Sequence, residues 1–208
     1  MNTTIETLNR ILDPGDTSTG GGSASALSGG MAGALIAMVC KLSVKEETEA
    51  QRKFLDACAD TAGELSSSLL TGADDDRAAF QNVRNAFKLP KETEEQKAIR
   101  SKAVQSAWLK AALVPLENAV RCADLAALVC DLNGKTNPSA QSDLLCAFFL
   151  AKAGCLGCLE NVAINLPSIK DGDAAGTIKT QLDAVRSRLA NLPDPSLNKY
   201  PNTIFCEV

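Results

Sequence analysis

One run of twenty small and apolar residues, SASALSGGMAGALIAMVCKL from Ser23 to Leu42, constrains the fold more than any other part of the chain. It has the length of a helix and no proline. Gly29, Gly30 and Gly33 mark where neighbouring helices can approach it closely. Its most apolar stretch, Ala32 to Cys40, is too short for a membrane span, and serine and glycine dilute the rest. The run therefore reads as a core helix, and as the sole membrane candidate in the sequence. Gly20, Gly21 and Gly22 precede it, and such a triplet can take backbone dihedrals closed to other residues. Ser23 is the expected N-cap. Bare N–H groups and the positive end of the helix dipole would then face the loop, a setting that suits an anionic or electron-rich ligand.

The remaining segments repeat their apolar residues at helical spacing, and no alternating strand pattern stands out. A first helix spans about Thr4 to Leu12 and stops at Asp13-Pro14-Gly15. A long pattern runs from about Lys45 to Phe87, with Phe54, Leu55, Ala59, Leu65 and Leu69 on one side. Gly72 is expected to kink it. The next helix begins near Lys91, carries acids in its first turn, bends at Pro115 and closes at Asn133-Gly134. Another runs from Ser139 to about Asn165, opened by Asn137-Pro138 and closed by Leu166-Pro167. The last spans about Gly172 to Leu192. The sequence thus predicts an all-α single domain over residues 1–208, about six long, kinked helices in an antiparallel bundle with an irregular tail from about 193 to 208. Such Ala/Gly-rich faces, with aromatics at only 4% of the chain, call for a partner surface, and a homodimer is expected.

Composition narrows the chemistry. Histidine is absent, which removes the commonest general base and the commonest zinc ligand together. The net charge of −4, with no basic stripe, speaks against nucleic-acid partners and anionic membranes. Eight cysteines occur without a recognisable leader at Met1–Glu6, so reduced thiols packed as small apolar groups and a cytoplasmic location are expected. Cys155-Leu156-Gly157-Cys158 is a lone CxxC, and no metal site is expected from it.

Five pieces in one order resemble a known family. They are Gly20-Gly21-Gly22-Ser23 with Ala26-Leu27, then Asp76-Arg77-Ala78-Ala79-Phe80, then Leu89-Pro90-Lys91 leading to Thr93-Glu94 and Arg100. Asn137-Pro138 with Ser142-Asp143 follows, and Asn161-Val162 with Ile164-Asn165-Leu166 completes the set. Over roughly residues 4 to 170 the chain is similar to the formiminotetrahydrofolate cyclodeaminase / methenyltetrahydrofolate cyclohydrolase family. One departure is Thr19, where the family usually has proline before the glycines, which leaves entry to the loop less rigid. The resemblance implies an all-helical dimer that binds a reduced folate carrying a one-carbon unit, with no cofactor beyond that substrate. Methenyltetrahydrofolate cyclohydrolase is the leading expectation, because the chain has no room for a fused formiminotransferase. Formiminotetrahydrofolate cyclodeaminase is the alternative, and a non-catalytic folate-binding or scaffold protein a third. Both reactions pass through a tetrahedral carbon between two nitrogens and involve a cationic amidine, so a carboxylate beside that carbon can stabilise charge and move a proton without metal or histidine.

By spacing alone Asp76 is an exposed helix acid in the run Asp74-Asp75-Asp76; the resemblance makes it the first catalytic candidate. Asp143 is either a favourable helix-start acid or a catalytic-site partner for the amino and amide edges of the pterin, beside Ser142. Asn137 reads as a cap of the same helix or as a binding residue. Lys91 and Arg100 are either a solvated basic face or contacts for the folate's glutamate tail, with Lys41 and Lys102 weaker candidates. Asn161 and Asn165 share one helix face and can bridge a ligand or a neighbouring helix. Phe80, four residues after Asp76, either packs in the core or walls the pterin. Gly20, Gly21, Gly22 and Ser23 complete the expected binding set.

Overall fold

The computed structural model describes residues 3–44 and 48–196. The expected start of the third helix at Lys45, Cys206 and the tail beyond 196 lie outside them. Six α-helices occur among the described residues, with no strand: α1 Thr3–Leu12, α2 Gly21–Ser43, α3 Glu49–Phe87, α4 Glu94–Leu132, α5 Gln141–Asn165 and α6 Gly172–Ala190. Short 3-10 turns at Pro138–Ala140 and Leu166–Ser168 flank α5.

The Gly/Ala-rich run is the axis of the molecule. Between α3 and α5, α2 buries Ala26, Ala32, Ile36, Val39 and Cys40. A side chain at Gly33 would put its Cβ 2.7 Å from the Ala62 carbonyl oxygen of α3, and one at Gly154 would lie 2.7 Å from the Ser25 carbonyl oxygen of α2. Both glycines are therefore required by backbone approach. Two segments, Gly21–Ser43 and Pro138–Ser168, are long and apolar enough to cross a membrane, so the first is not the sole candidate; 56% and 50% of their apolar windows are buried inside the bundle.

The two longest helices are fixed at their starts by capping boxes, Thr48 with Gln51 and Thr93 with Gln96. The second box sets the start of α4 at Glu94, three residues past Lys91, because Thr93 caps the helix. Gly134, at φ +77, follows the Asn133 C-cap as expected. Gly72 does not interrupt α3, which is continuous to Phe87. Its role is to admit Asn118, fully buried on α4: a Cβ at Gly72 would lie 2.2 Å from Asn118 Oδ1. Asn118 Nδ2 donates to the Gly72 carbonyl (3.1 Å), and Arg121 Nη1 donates to Asn118 Oδ1 (3.2 Å). A buried polar latch thus joins α3 to α4 one turn before Asp76. Cys40, Cys58, Cys122, Cys155 and Cys158 are buried, and burial pushes the Cys40 and Cys155 thiols up to about 12, so they act as inert core groups. No cluster of potential metal ligands occurs among the described residues.

Candidate functional site

At the N-terminal end of α2 the structure departs from the expected capping. The helix begins at Gly21 with Gly20 as N-cap in extended conformation (φ −138°, ψ −155°), and Ser23 lies inside the first turn. None of the three glycines has positive φ; a Cβ at Gly20 would meet nothing within 4 Å, and the room that matters is at Gly22. A Cβ at Gly22 would sit 2.5 Å from Asp76 Oδ1, and one at Gly21 3.5 Å from Asn161 Nδ2. Gly22 therefore lets the start of α2 lie directly against a carboxylate on α3, while Gly21 stands in ordinary contact with an amide on α5.

Ser23, freed from capping, faces that carboxylate. Its hydroxyl lies 2.9 Å from the Ala73 carbonyl oxygen and 3.0 Å from Asp76 Oδ2, and Ser23 itself is fully buried. A hydroxyl has one proton, so it donates to one of these acceptors at a time. Both contacts become hydrogen bonds together only when Asp76 carries a proton and donates to Ser23. Burial pushes the Asp76 carboxyl above its ordinary range, against the opposing pull of the Ser23 hydroxyl and N–H. Asp76 is thus a half-buried acid with one well-defined polar neighbour, not the solvated member of an acidic run. Its neighbours differ: Asp75 is exposed, and Asp74 accepts a hydrogen bond from the buried Thr7 hydroxyl of α1.

Asp76 opens into a cavity of about 400 Å³, the size of a small-molecule site. Gly20 and Gly22 line one side. Phe80 and Arg77 come from α3, Trp108 and Ala111 from α4, and Asn161, Ile164 and Asn165 from α5; Thr17 and Ser18 contribute from the loop before α2. Phe80, 43% exposed, stands in the cavity wall and not in the core. Asn161 and Asn165 face the same cavity and are themselves held: Asn161 Nδ2 donates to the Gly157 carbonyl (3.0 Å), and Asn165 Nδ2 donates to the Ala111 carbonyl across to α4 (2.8 Å). Their amide oxygens remain as acceptors for a ligand's N–H groups.

Six cavity residues were not among the expected site residues: Thr17, Ser18, Arg77, Trp108, Ala111 and Ile164. The Arg77 Nε is buried without a hydrogen-bond partner. Arg77 adjoins Asp76 in sequence, and Trp108 is the single tryptophan of an aromatic-poor chain; those were the available signals.

Other expected residues are not brought to this cavity. Asp143 and Ser142 lie in the first turn of α5, and Asp143 is eighteen residues before Asn161, about 27 Å along the helix. Within one chain they stand apart from Asp76. Asn137 caps the 3-10 turn ahead of α5, its side chain accepting from Ser139 N–H (2.9 Å), as the capping alternative expects. Lys91 is exposed on the α3–α4 loop and lines no described cavity. Arg100 donates through Nε and Nη2 to the Phe87 carbonyl (3.3 and 3.2 Å) and borders a second recess next to the first. Lys41 sits on a shallow groove at the far end of α2.

Fold and site together define an all-helical small-molecule-binding protein with a desolvated carboxylate in its pocket wall. Residues 4–184 match the formiminotransferase-cyclodeaminase family, and the chain belongs to that family. A methenyltetrahydrofolate cyclohydrolase of Methylorubrum extorquens is 35% identical over 176 residues, 82% of each chain. The pig formimidoyltransferase-cyclodeaminase is 33% identical over 197 residues, 90% of this chain and 34% of that one. The chain therefore spans about a third of that larger relative. A crystal structure of formiminotetrahydrofolate cyclodeaminase from Thermotoga maritima superposes with a TM-score of 0.77 at 26% identity, covering 89% of both chains.

Proposed function

We propose that the chain is a folate one-carbon enzyme, a 5,10-methenyltetrahydrofolate cyclohydrolase, with Asp76 as its acid–base group. The observation that carries this is the placement of one desolvated carboxylate against the start of α2, in a cavity walled by Phe80 and Trp108. The 35% identity to a cyclohydrolase, against 26% to a cyclodeaminase of similarly matching length, supports the cyclohydrolase reading over the ammonia-releasing one.

The substrate brings its own activation, since its methenyl carbon is shared by N5 and N10 and carries their positive charge. Asp76 as carboxylate faces that cation and accepts a proton from the attacking water, and the new C–O bond gives a neutral carbinolamine. The carbinol O–H then loses its proton, N5 takes up one, and the C–N5 bond breaks. The product is 10-formyltetrahydrofolate, with one proton released overall. Desolvation strengthens the attraction between the carboxylate and the cation and moves the acid toward the pH at which it can exchange protons. Phe80 and Trp108 offer flat walls for the pterin and its linker, and Asn161 and Asn165 acceptors for its N–H edge. Decay of the near-ultraviolet methenyl band tests the assignment: acceleration by the protein supports it. No acceleration, with ammonia released from 5-formiminotetrahydrofolate, gives the cyclodeaminase instead. Folate binding without either turnover gives the non-catalytic reading.

The same proposal includes a cytosolic homodimer. Met31, Met38 and Leu42 on α2 and Phe149 and Leu156 on α5 are apolar and 38–52% exposed, a surface suited to a second copy. Sedimentation at micromolar concentration should give the dimer mass, and a monomer there removes it. Asp143 and Ser142 then have a role at the pterin only if the partner subunit carries them to the cavity.

A further inference from the structure

Asp76 does not hold the only charge in its cavity. Among the described residues that line it, Arg77 is the one cation. The side chain is partly buried, and its Nε is enclosed without a hydrogen-bond partner. A charged donor in that state is costly until an acceptor reaches it. Glu6 on α1 is not that acceptor: it is hydrogen-bonded to Arg10 (2.7 Å), and Arg77 adds only a lesser pull on its carboxyl. Nor is Asp76. Burial and, against it, Ser23 set the state of the Asp76 carboxyl, and Arg77 is not among the influences on it. The two residues follow each other on α3, about 100° apart around the helix. One carboxyl and one guanidinium thus border the same space from different directions without neutralising each other.

Resting on the cyclohydrolase reading, we propose that Arg77 is a further catalytic residue, whose guanidinium N–H groups hydrogen-bond the oxygen that becomes negative on the one-carbon unit. Opening of the ring separates charge. Water attack leaves a neutral carbinolamine and a protonated Asp76. Asp76 then gives that proton to N5, and the carbinol O–H gives its own to solvent water. A negative oxygen is left beside a positive N5. An electron pair of that oxygen forms C=O while the C–N5 pair goes to nitrogen, and the proton given to solvent is the one released overall. The cavity matches this short-lived dipole, with the carboxylate toward N5 and the guanidinium toward oxygen. Donors fixed in advance in a site shielded from water stabilise such an oxygen strongly. In the substrate the one-carbon unit is cationic and has no oxygen, so Arg77 only repels it there, and the benefit falls on the transition state. The ammonia-releasing reaction puts no oxygen on that carbon and expels an amine, so the same guanidinium also turns the site toward hydrolysis.

The test is decay of the near-ultraviolet methenyl band with the wild type and Arg77→Ala, with circular dichroism as the check on folding. Alanine is a strong helix former, so α3 is kept. The variant's kcat should fall about 10²-fold, the scale of one lost oxyanion donor. Its KM should stay level or drop, because a repulsion between two cations is gone. Millimolar guanidinium chloride should restore turnover of the variant, and sodium chloride at the same concentration should not. A kcat close to that of the wild type, a KM that rises with the loss, or a variant that guanidinium fails to rescue beyond sodium chloride overturns the role of Arg77 alone. A wild type that leaves the methenyl band unchanged overturns the cyclohydrolase reading, and this inference with it.

Discussion

Replacing Asp76 with Asn separates catalysis from folding at one atom. The two side chains are nearly isosteric, so the amide fits the space that Gly22 leaves, where even a Cβ would approach to 2.5 Å. On the proposed mechanism, the variant removes the group that faces the cation and accepts the proton. Positioned acid–base groups contribute 10²–10⁴ in rate, so turnover should fall by at least about 10²-fold, about 2.7 kcal/mol of transition-state stabilisation. Stability moves the other way. The folded protein holds the Asp76 proton more tightly than the unfolded chain does, because burial raises this carboxyl. That group therefore contributes stability below the unfolded value, about pH 3.9, and the contribution is lost as pH rises through the folded value. At pH 7 the charged form is a net cost, and Asn should leave the melting temperature unchanged or higher. Methenyl-band decay and thermal melts at pH 7 measure both. Undiminished turnover, or a melting point lowered by several degrees, would refute a carboxylate kept for chemistry at the expense of stability.

The neighbouring residues give three further outcomes. Gly22→Ala drives a methyl into Asp76, so turnover should fall at least tenfold while circular dichroism shows the helices intact. Ser23→Ala removes a hydroxyl that lowers the Asp76 carboxyl, so the acid limb of the pH–rate profile, already above about 3.9 in the wild type, should move further up. Asn118→Ala breaks the latch to Gly72 and leaves the Gly72 carbonyl without its side-chain donor, a loss of about 1–3 kcal/mol. Melting should then drop by several degrees, with the pH–rate profile unmoved.

The helices were legible because their signals are local: helical spacing, Asp13-Pro14-Gly15, Asn133-Gly134 and the acids after Pro90 all act within a turn or two. The roles of individual residues were less so, because they depend on what crosses from another helix. Gly72 looks like a kink until Asn118 is seen to occupy its missing side chain. Ser23 looks like a cap because serine after glycines usually is one, yet one turn of extra helix and a carboxylate fifty-three residues away give it a different partner. Asp76 was identified through the family resemblance, since nothing in Asp74-Asp75-Asp76 says which acid turns inward. Trp108 lay in no motif, and Arg77, though inside the Asp76–Phe80 piece, was given no role there. Asp143 shows the converse, a favourable helix-start acid that the fold of one chain holds about 27 Å along α5 from Asn161.

The most direct measurement is a crystal structure of the Asp76→Asn variant with a reduced folate bound. The account predicts the N5–N10 edge in hydrogen-bonding reach of residue 76 and the ring system along Phe80 and Trp108. A folate seated at Asp143, with the Asp76 cavity empty, would contradict it.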